Sequence, residues 1–452
     1  MKKKSLFRII YVVVLMCFFT GIGITIAVKP QTDYSRNENR YLEKLPALTW
    51  DSYKTGEFGE QFDKAVTDQF PFRDFFTGMS TNYRKLMGFH DVGDVYLGKD
   101  HYYFDKKLEK DMALDACTTA LGAVKAFADT FRADGATADA GAESETAQAD
   151  GATADAGAES GDGAETASAS GCATFKDIKV MLIPSPASVL KDDLPMFARI
   201  YDDEPYFEAA KSVFGEDFID VREAFRAAVM AGTGDRTVGG TGDRSGDGTA
   251  DGAGVGTPDQ SANDSPYLYF RTDHHWTHLG AYEAYKVFEE SMGRMPIPYD
   301  SFNYKKVSDS FYGTMFSRAL DNGAVPDSIV IPEVTGSPIV KAGEDEIPLY
   351  DMEKLDEKDH YATYFGGNYP VVTIKNPHLS EEKRLLVFKD SFANSFVPLL
   401  INEYSEITLI DPRYETRPMS MVMNTYKPDD VLVLFEMSNF VNTKEVLRMS
   451  MA

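Results

Sequence analysis

The chain has 452 residues, 43% of them hydrophobic, and a formal net charge of −25 at pH 7. This length allows one large folded domain or two smaller ones. The excess of negative charge argues against a nucleic-acid-binding protein, because binding to phosphates requires a positive surface.

The N-terminus combines a basic cluster with a long apolar segment. Four basic residues, the last of them Arg8, precede residues 9–28, which carry no charge. As a helix this segment is about 30 Å long, the thickness of the hydrocarbon core of a bilayer. Because the basic end of such a helix stays in the cytoplasm, the sequence predicts a cytoplasmic tail over residues 1–8 and a transmembrane signal-anchor over 9–28. The protein is then a single-pass protein of the cell membrane whose C-terminal part is extracytoplasmic.

A cleaved signal peptide is the alternative to an anchor, since residues 25–27 resemble a small-residue cleavage site. The apolar run is longer than the usual core of a signal peptide, which favours the uncleaved anchor.

Residues 29–132 are predicted to form the N-terminal part of the extracytoplasmic domain. Phe58, Phe62 and Val66 are spaced four residues apart, which is typical of one face of an amphipathic helix. The further elements predicted here are a helix over 75–86, two short strands within 94–104 and a helix over 108–132.

Two low-complexity segments interrupt the chain. Residues 133–171 contain nine acidic residues and no basic one, and the repeat ADGATADAGAES occurs there twice. Residues 232–264 are rich in glycine and contain TGDR twice. Because neither segment has the apolar residues that a core requires, both are predicted to be disordered insertions in surface loops.

Cys117 and Cys172 flank the first insertion. Their predicted location permits disulfides, and the sequence is consistent both with a bridge between them and with two free thiols.

The remaining parts, residues 172–231 and 265–452, alternate short apolar strands with helices. Such alternation is typical of a buried, largely parallel sheet that is covered by helices on both faces. The predicted strands are 178–183, 218–221, 267–270, 384–388, 407–410 and 431–435, and the predicted helices are 204–214, 222–230, 279–292 and 392–400. Residues 295–377, rich in proline and glycine, receive no assignment.

The first segment with candidate chemistry follows the predicted strand at 267–270. Asp273 and His275 lie there, just before a predicted helix, where side chains project into the crevice at the carboxyl edge of a sheet. A histidine that acts as a base needs an acceptor on one ring nitrogen to fix its tautomer. An aspartate two residues away can supply that acceptor from the same loop.

The second segment surrounds Ser391, where the apolar strand at 384–388 gives way to a helix. Hydrolase nucleophiles are placed in this way, exposed at the edge of the sheet with helix N-terminal amides near a developing oxyanion. Asp390 and Ser391 on their own fit a plain helix N-cap. The Asp-x-His loop favours the nucleophile.

The segment RTDHHWTHLGAYEAY contains the tetrapeptide that names the DHHW proteins. It also resembles the Asp-Thr-His-Trp motif of the SGNH-like alginate O-acetylation proteins and the related peptidoglycan O-acetyltransferases. NENRYLEKLP, DQFPFRD, VMLIPSP, FKDSFANSF and PDDVLVLFE resemble further DHHW segments, so the resemblance covers most of the chain outside the insertions. It implies an α/β fold, an SGNH-hydrolase-like three-layer α/β/α sandwich. The sandwich would be circularly permuted, because the Asp-His segment precedes the serine.

The resemblance also implies roles for three residues. Ser391 would be the nucleophile, His275 the base and Asp273 the acid that orients the base. Trp276 selects His275 over His274, because in the related motif the catalytic histidine directly precedes tryptophan.

Other positions of the implied site are less defined. Gly313 and Asn394 are the candidates for oxyanion stabilisation or positioning, and Trp276 and His274 are candidates for positioning. The glycine that usually precedes Asp-Ser in the family is Lys389 here.

A metal site is the chemical alternative. His274 and His278 are four residues apart and follow Asp273, so one helix face offers ligands. Adjacent histidines point in different directions in regular structure, and the sequence contains no further ligand cluster. These points favour hydrolase chemistry with no metal and no cofactor.

The sequence therefore supports two alternative functions. The first is acetyl transfer or ester hydrolysis on an exopolysaccharide or cell-wall glycan, and the resemblance implies an integral-membrane acyltransferase of the MBOAT class as a partner. The second is a non-catalytic glycan-binding or scaffold protein of an envelope polysaccharide assembly, which the changed residue Lys389 favours.

Overall fold

The computed structural model of the chain describes residues 2–35, 40–133, 172–233 and 267–451. The two predicted insertions, 133–171 and 232–264, lie almost entirely outside the described residues.

The helices of the described part are distributed along the whole chain, and several consist of a single turn. They are α1 (Lys2–Val28), α2 (Trp50–Thr55), α3 (Glu57–Asp68), α4 (Arg73–Leu86), α5 (Leu114–Phe131), α6 (Pro186–Val189), α7 (Glu204–Phe214), α8 (Arg222–Thr233), α9 (His278–Ser291), α10 (Thr314–Ala319), α11 (Ala393–Phe396), α12 (Met419–Tyr426) and α13 (Met437–Asn442).

The strands of the described part are mostly short. They are β1 (Tyr34–Ser35), β2 (Arg40–Tyr41), β3 (Asp91–Val92), β4 (Val95–Leu97), β5 (Tyr103–Asp105), β6 (Asp177–Ile183), β7 (Phe218–Ile219), β8 (Lys305–Phe311), β9 (Asp327–Ile331), β10 (Ile339–Ala342), β11 (Asp345–Glu346), β12 (Val371–Lys375), β13 (Arg384–Lys389), β14 (Glu406–Ile410) and β15 (Asp430–Glu436).

An eight-stranded sheet, ordered β11-β10-β12-β14-β13-β15-β6-β7, forms the centre of the fold. The five strands from β14 to β7 are parallel, as predicted. The other three strands extend the sheet antiparallel and come from the region that the sequence left mostly unassigned. β10 and β11 are antiparallel because a tight hairpin around Gly343 joins them.

Alternate side chains of the central strands are buried on opposite faces of the sheet. Leu386 and Val433 pack on the side of α5, α7, α12 and α13. Val387 and Leu434 pack on the side of α8, α9 and α11. Both faces are apolar and covered, so the predicted three-layer α/β/α sandwich is confirmed.

Two predicted elements differ from the structure. The strand predicted at 267–270 is wrong: Tyr269 forms only an isolated bridge with Trp276, and the amide of Phe270 donates to the carbonyl of His275. The chain turns back on itself there, so its backbone pairs within the loop instead of with the sheet. The helix predicted at 392–400 is the short α11 followed by a 3-10 turn that contains Pro398, which has no N–H to donate.

One helix of the described part, α1, is long and apolar enough to cross a membrane, over Phe7–Ile26. A signal sequence near an N-terminus has the same properties, so the length and composition of α1 agree with both alternatives of the sequence analysis.

The two segments that flank residues 134–171 lie next to each other. The amide of Ala133 donates to the carbonyl of Phe175, and the amide of Phe175 donates to the carbonyl of Phe131, at 2.9 and 3.0 Å. Cys117 and Cys172 are both free thiols, and Cys117 is buried in α5.

Candidate active site

Three parallel strands end at the same edge of the sheet, beside the start of a helix. Asp390 and Ser391 follow β13, Glu436 is the last residue of β15, and Ser185 follows β6 by two residues. The carboxyl edge of a parallel sheet is where α/β proteins place their ligand sites. Ser391 is half-buried at this edge, two residues before the start of α11.

The loop that precedes α9 brings His275 to Ser391. The Nε2 atom of His275 lies 2.7 Å from the hydroxyl oxygen of Ser391, and the Nδ1 atom lies 2.5 Å from Oδ1 of Asp273. The amide of His275 also donates to that oxygen, at 3.0 Å. If Nδ1 carries the proton that Asp273 accepts, Nε2 is free to accept the proton of Ser391. The three residues predicted from the two segments are thus adjacent.

Asp273 is held on its other side by Thr314. Both the amide and the hydroxyl of Thr314 donate to Oδ2 of Asp273, at 2.7 and 2.9 Å. Burial on its own raises the pKa of Asp273, but the charges of His274 and His275 and these hydrogen bonds outweigh it and hold that pKa below its usual range. Asp273 is therefore an ionised acceptor for the imidazole.

His274 faces away from Ser391 and towards Thr314. Its Nδ1 atom lies 2.7 Å from the Thr314 hydroxyl, and about a third of its side chain is exposed. Burial, and then the neighbouring His275, lower the pKa of His274.

Trp276 connects the loop that carries His275 to the segment that follows Ser391. Its side chain is fully buried, and its indole N–H donates to the carbonyl of Phe392 at 3.0 Å and to the hydroxyl of Ser395 at 2.8 Å. This pair of hydrogen bonds fixes the loop of His275 against the segment that follows Ser391.

Tyr361 is a site residue that the sequence analysis missed. Its ring stacks on His275, with centroids 3.9 Å apart and an angle of 11° between the planes. Its hydroxyl donates to the carbonyl of Ser391 at 3.0 Å. Tyr361 lies in the unassigned, proline-rich part of the sequence, which carries no motif that points to it.

The polar groups of Gly313 and Asn394 are engaged in other contacts. The amide of Gly313 donates to the Thr272 hydroxyl at 3.0 Å. The side chain of Asn394 accepts from Lys389 at 2.6 Å and donates to Asn368 at 3.3 Å. Gly313 lies against Asp273, and Asn394 supports the buried Lys389, so the structure places both beside the cluster in supporting positions.

Asp273, His274 and His275 also bring three ligand-type atoms within 4.8 Å of one another. Asp273 and His275 are hydrogen-bonded to each other, and the remaining nitrogen of His275 faces a hydroxyl. His278, the other metal ligand considered from the sequence, contacts Tyr299 and Tyr304. The arrangement suits proton transfer better than metal binding.

A cavity of about 250 Å³ opens beside the cluster. Its lining includes His274, Met315, Phe392 and Glu436. Glu436 is buried, and burial raises its pKa to about 7. The sequence analysis missed Glu436. The available signal was its position at the end of an apolar strand, which resembles the apolar strand before Ser391.

Gly313→Ala is expected to lower ester turnover by about 10²-fold and the free energy of unfolding by about 1–3 kcal/mol. A Cβ at Gly313 would overlap the side chain of Asp273, which must then shift away from His275. Turnover of an acetyl ester and urea unfolding measure the two effects. Gly122→Ala is the control, because its Cβ meets no atom within 4 Å. Equal effects of the two substitutions would contradict the prediction.

The unchanged protein is expected to lose stability as the pH rises from about 4.5 to 7, and Glu436→Gln is expected to abolish this loss. Over that range an unfolded chain releases the proton of Glu436 while the folded chain retains it, so folding weakens as the pH rises. Relative to the variant, the unchanged protein should lose about 3 kcal/mol over this range and no more above it. Urea unfolding as a function of pH measures this, and Glu381→Gln, at an exposed position, is the control.

The family model described as "DHHW protein" matches residues 260–410. These residues contain both the Asp273–His275 loop and Ser391. The predicted resemblance to this family is therefore confirmed for the part of the chain that carries both segments. No curated protein matches the chain significantly.

Several solved structures are similar to this chain at low sequence identity. Bacillus cereus PatB1 with a sulfonyl adduct is 18% identical over 77% of this chain and 97% of PatB1, with a TM-score of 0.50. A DHHW family protein from Eubacterium siraeum is 20% identical over 60% of this chain and 81% of that protein, with a TM-score of 0.40. The O-acetyltransferase domain of Pseudomonas putida AlgJ is 12% identical over 77% of this chain and 92% of that domain, with a TM-score of 0.38. The similarity to PatB1 concerns the fold.

Proposed function

We propose that this protein transfers or hydrolyses an O-acetyl ester on an extracytoplasmic glycan, with Ser391 as the nucleophile. The observation that carries the proposal is the chain of contacts from the Ser391 hydroxyl through His275 to Asp273, with distances of 2.7 and 2.5 Å. A serine, a base and an orienting acid in this order activate a hydroxyl for attack on an acyl carbon.

In the first half of the reaction, the Ser391 oxygen attacks the carbonyl carbon of the ester as its proton moves to Nε2 of His275. The bond between the carbonyl carbon and the leaving oxygen then breaks, and the imidazolium gives its proton to that oxygen. The product is an alcohol and a Ser391 ester. Ionised Asp273 stabilises the imidazolium that forms between the two steps.

In the second half, Nε2 of His275 accepts a proton from an incoming hydroxyl, whose oxygen attacks the Ser391 ester. Release of Ser391 with that proton restores the site. A sugar hydroxyl as the attacking group gives transfer, and water gives hydrolysis. The cavity beside His274 is open to either group, and its volume of about 250 Å³ is more than a water molecule requires.

The glycan, the acetyl group and the membrane context come from the resemblance in the sequence. It suggests an exopolysaccharide or cell-wall polymer as the acceptor and an integral-membrane acyltransferase of the MBOAT class as the donor of acetyl groups. A membrane anchor at α1 would put the site on the outer side of the membrane, where such a polymer lies.

We also propose that residues 172–231 and 265–452 form one SGNH-like domain, and that residues 29–132 are the N-terminal part of the extracytoplasmic region. The first range supplies β6 and β7, and the second supplies the other six strands of the same sheet. A continuous sheet supports one folding unit for the two ranges.

Covalent labelling tests the nucleophile. A sulfonyl fluoride, chosen because the PatB1 structure carries a sulfonyl adduct, should attach to Ser391 of the full chain, as read by peptide mass spectrometry. Ser391→Ala should abolish labelling. Ser185→Ala is the matched control, because Ser185 lines the cavity beside the site, and this variant should be labelled like the unchanged protein.

Labelling that persists in Ser391→Ala would refute the assignment of the nucleophile. Labelling at Ser391 without turnover of any acetyl ester or transfer to a glycan would favour the glycan-binding alternative instead.

A further inference from the structure

Helix α4 carries a row of exposed apolar side chains along one side. Phe75, Met79, Tyr83 and Leu86 are spaced as one helical stripe, and each is at least half exposed. We call these four residues the α4 stripe. After residue 89, the exposed large apolar residues of the described chain are scattered, apart from the adjacent pair Met196 and Phe197, whereas here four of them form one stripe. Contiguous exposed apolar surface marks an interaction site.

The opposite side of α4 is docked on the folded domain, so the direction of the stripe is fixed. The Thr81 hydroxyl donates to the carbonyl of Ala319 at 2.6 Å, and Lys85 pairs with the buried Asp321 at 2.7 Å. A Cβ at Gly78 would lie only 3.2 Å from the Leu320 carbonyl oxygen, so α4 approaches the domain closely there. The stripe therefore faces away from the domain.

The chain also ties α4 to the end of α1. The side chain of Gln69, just after α3, accepts from the amide of Thr32 and donates to its carbonyl, both at 2.9 Å. Thr32 is four residues beyond the end of α1 at Val28, which is at most about 14 Å of extended chain. Gln69 is therefore held near the point where α1 ends, and α4 begins four residues further along the chain, at Arg73.

We propose that the α4 stripe lies in the interfacial layer of the membrane that α1 crosses, with its rings among lipid headgroups and the first acyl carbons. Two aromatic residues and two long aliphatic ones fit this layer, where aromatic rings are enriched and apolar helix faces are buried by about 5–10 Å. A second protein would also bury the stripe, but the tether at Thr32 makes the bilayer the surface within reach.

The inference rests on α1 as an anchor and is independent of the chemistry at Ser391. It orients the domain, because α4 binds the segment 319–321, which follows Thr314 of the candidate site on α10. The edge of the site would then be held close to the membrane surface.

Lipid quenching of single tryptophans tests the location of the stripe in the full chain. The chain has two tryptophans, and Trp50→Phe leaves only the fully buried Trp276. In that background, Phe75→Trp and Tyr83→Trp report on the stripe. Met421→Trp is the control, because Met421 is exposed on α12, a helix on one outer layer of the sandwich. Each variant is reconstituted in phosphatidylcholine–phosphatidylglycerol vesicles.

Lipids brominated near the carbonyl end of the acyl chain should reduce the emission added at positions 75 and 83 by roughly twofold or more and leave that at 421 unchanged. Unchanged circular dichroism and Trp276 emission show that the variants are folded. Equal quenching at all three positions, or none at 75 and 83, would overturn the proposal. Absence of quenching at positions 75 and 83 would indicate that the stripe binds a protein partner instead.

Discussion

Ser391→Ala is expected to reduce ester turnover by about 10⁵–10⁶-fold and to change the free energy of unfolding by less than about 1 kcal/mol. The loss is large because in the proposed mechanism the hydroxyl forms the covalent intermediate, and alanine offers no replacement. The hydroxyl is half-buried and its side-chain partner is His275, so little packing is lost. Hydrolysis of a generic acetyl ester and urea unfolding of the same preparations measure the two quantities.

His275→Ala tests whether the two residues work as a unit. It should reduce turnover about as much as Ser391→Ala, and the double variant should be no slower than either single one. Asp273→Asn should cost about 10⁴-fold, because the geometry survives while the tautomer of His275 is lost. His378→Ala, at an exposed position, is the matched control. Additive losses in the double variant would show that Ser391 and His275 act separately.

Trp276→Ala is expected to lower the free energy of unfolding by about 3–5 kcal/mol. The indole is fully buried between the histidine loop and α11, and its removal leaves a cavity. It also removes the hydrogen bonds that the indole donates to the Phe392 carbonyl and the Ser395 hydroxyl, so even Trp276→Phe should cost about 1–3 kcal/mol. Urea unfolding followed by circular dichroism measures both variants.

Trp50 supplies the comparison within the same chain. Its side chain is 70% exposed on α2, so Trp50→Ala should change the free energy of unfolding in detergent by no more than about 0.5 kcal/mol. Similar losses at the two tryptophans would mean that Trp276 does not join the two segments as described.

The sequence predicted the parts of the site that depend on local chain direction. Ser391 was recognisable because an apolar strand ends just before it, and Asp273 because it lies two residues from His275 in one loop. The central strands were recognisable for the same reason, since a strand with both faces buried is a continuous apolar run. These signals need no knowledge of distant parts of the chain.

The remaining site residues depend on contacts between distant segments. Tyr361 contacts His275 although it lies 86 positions later in the sequence, in a region without helical or strand periodicity. Thr314 and Gly313 support Asp273 only because β8 delivers them to the same edge. The antiparallel strands β10 to β12 were missed for a similar reason. Each is short, and the pattern of a short strand beside proline and glycine is not distinct from that of a loop.

The backbone hydrogen bonds between the segments at Phe131 and Phe175 have a practical consequence. Because backbone hydrogen bonds hold these ends together, the path between residues 133 and 172 begins and finishes at almost the same point of the surface. Such a point accepts foreign sequence without displacing the elements on either side. A fluorescent or affinity module whose own termini are adjacent can therefore be placed there, and the protein can be followed in cells without altering either terminus.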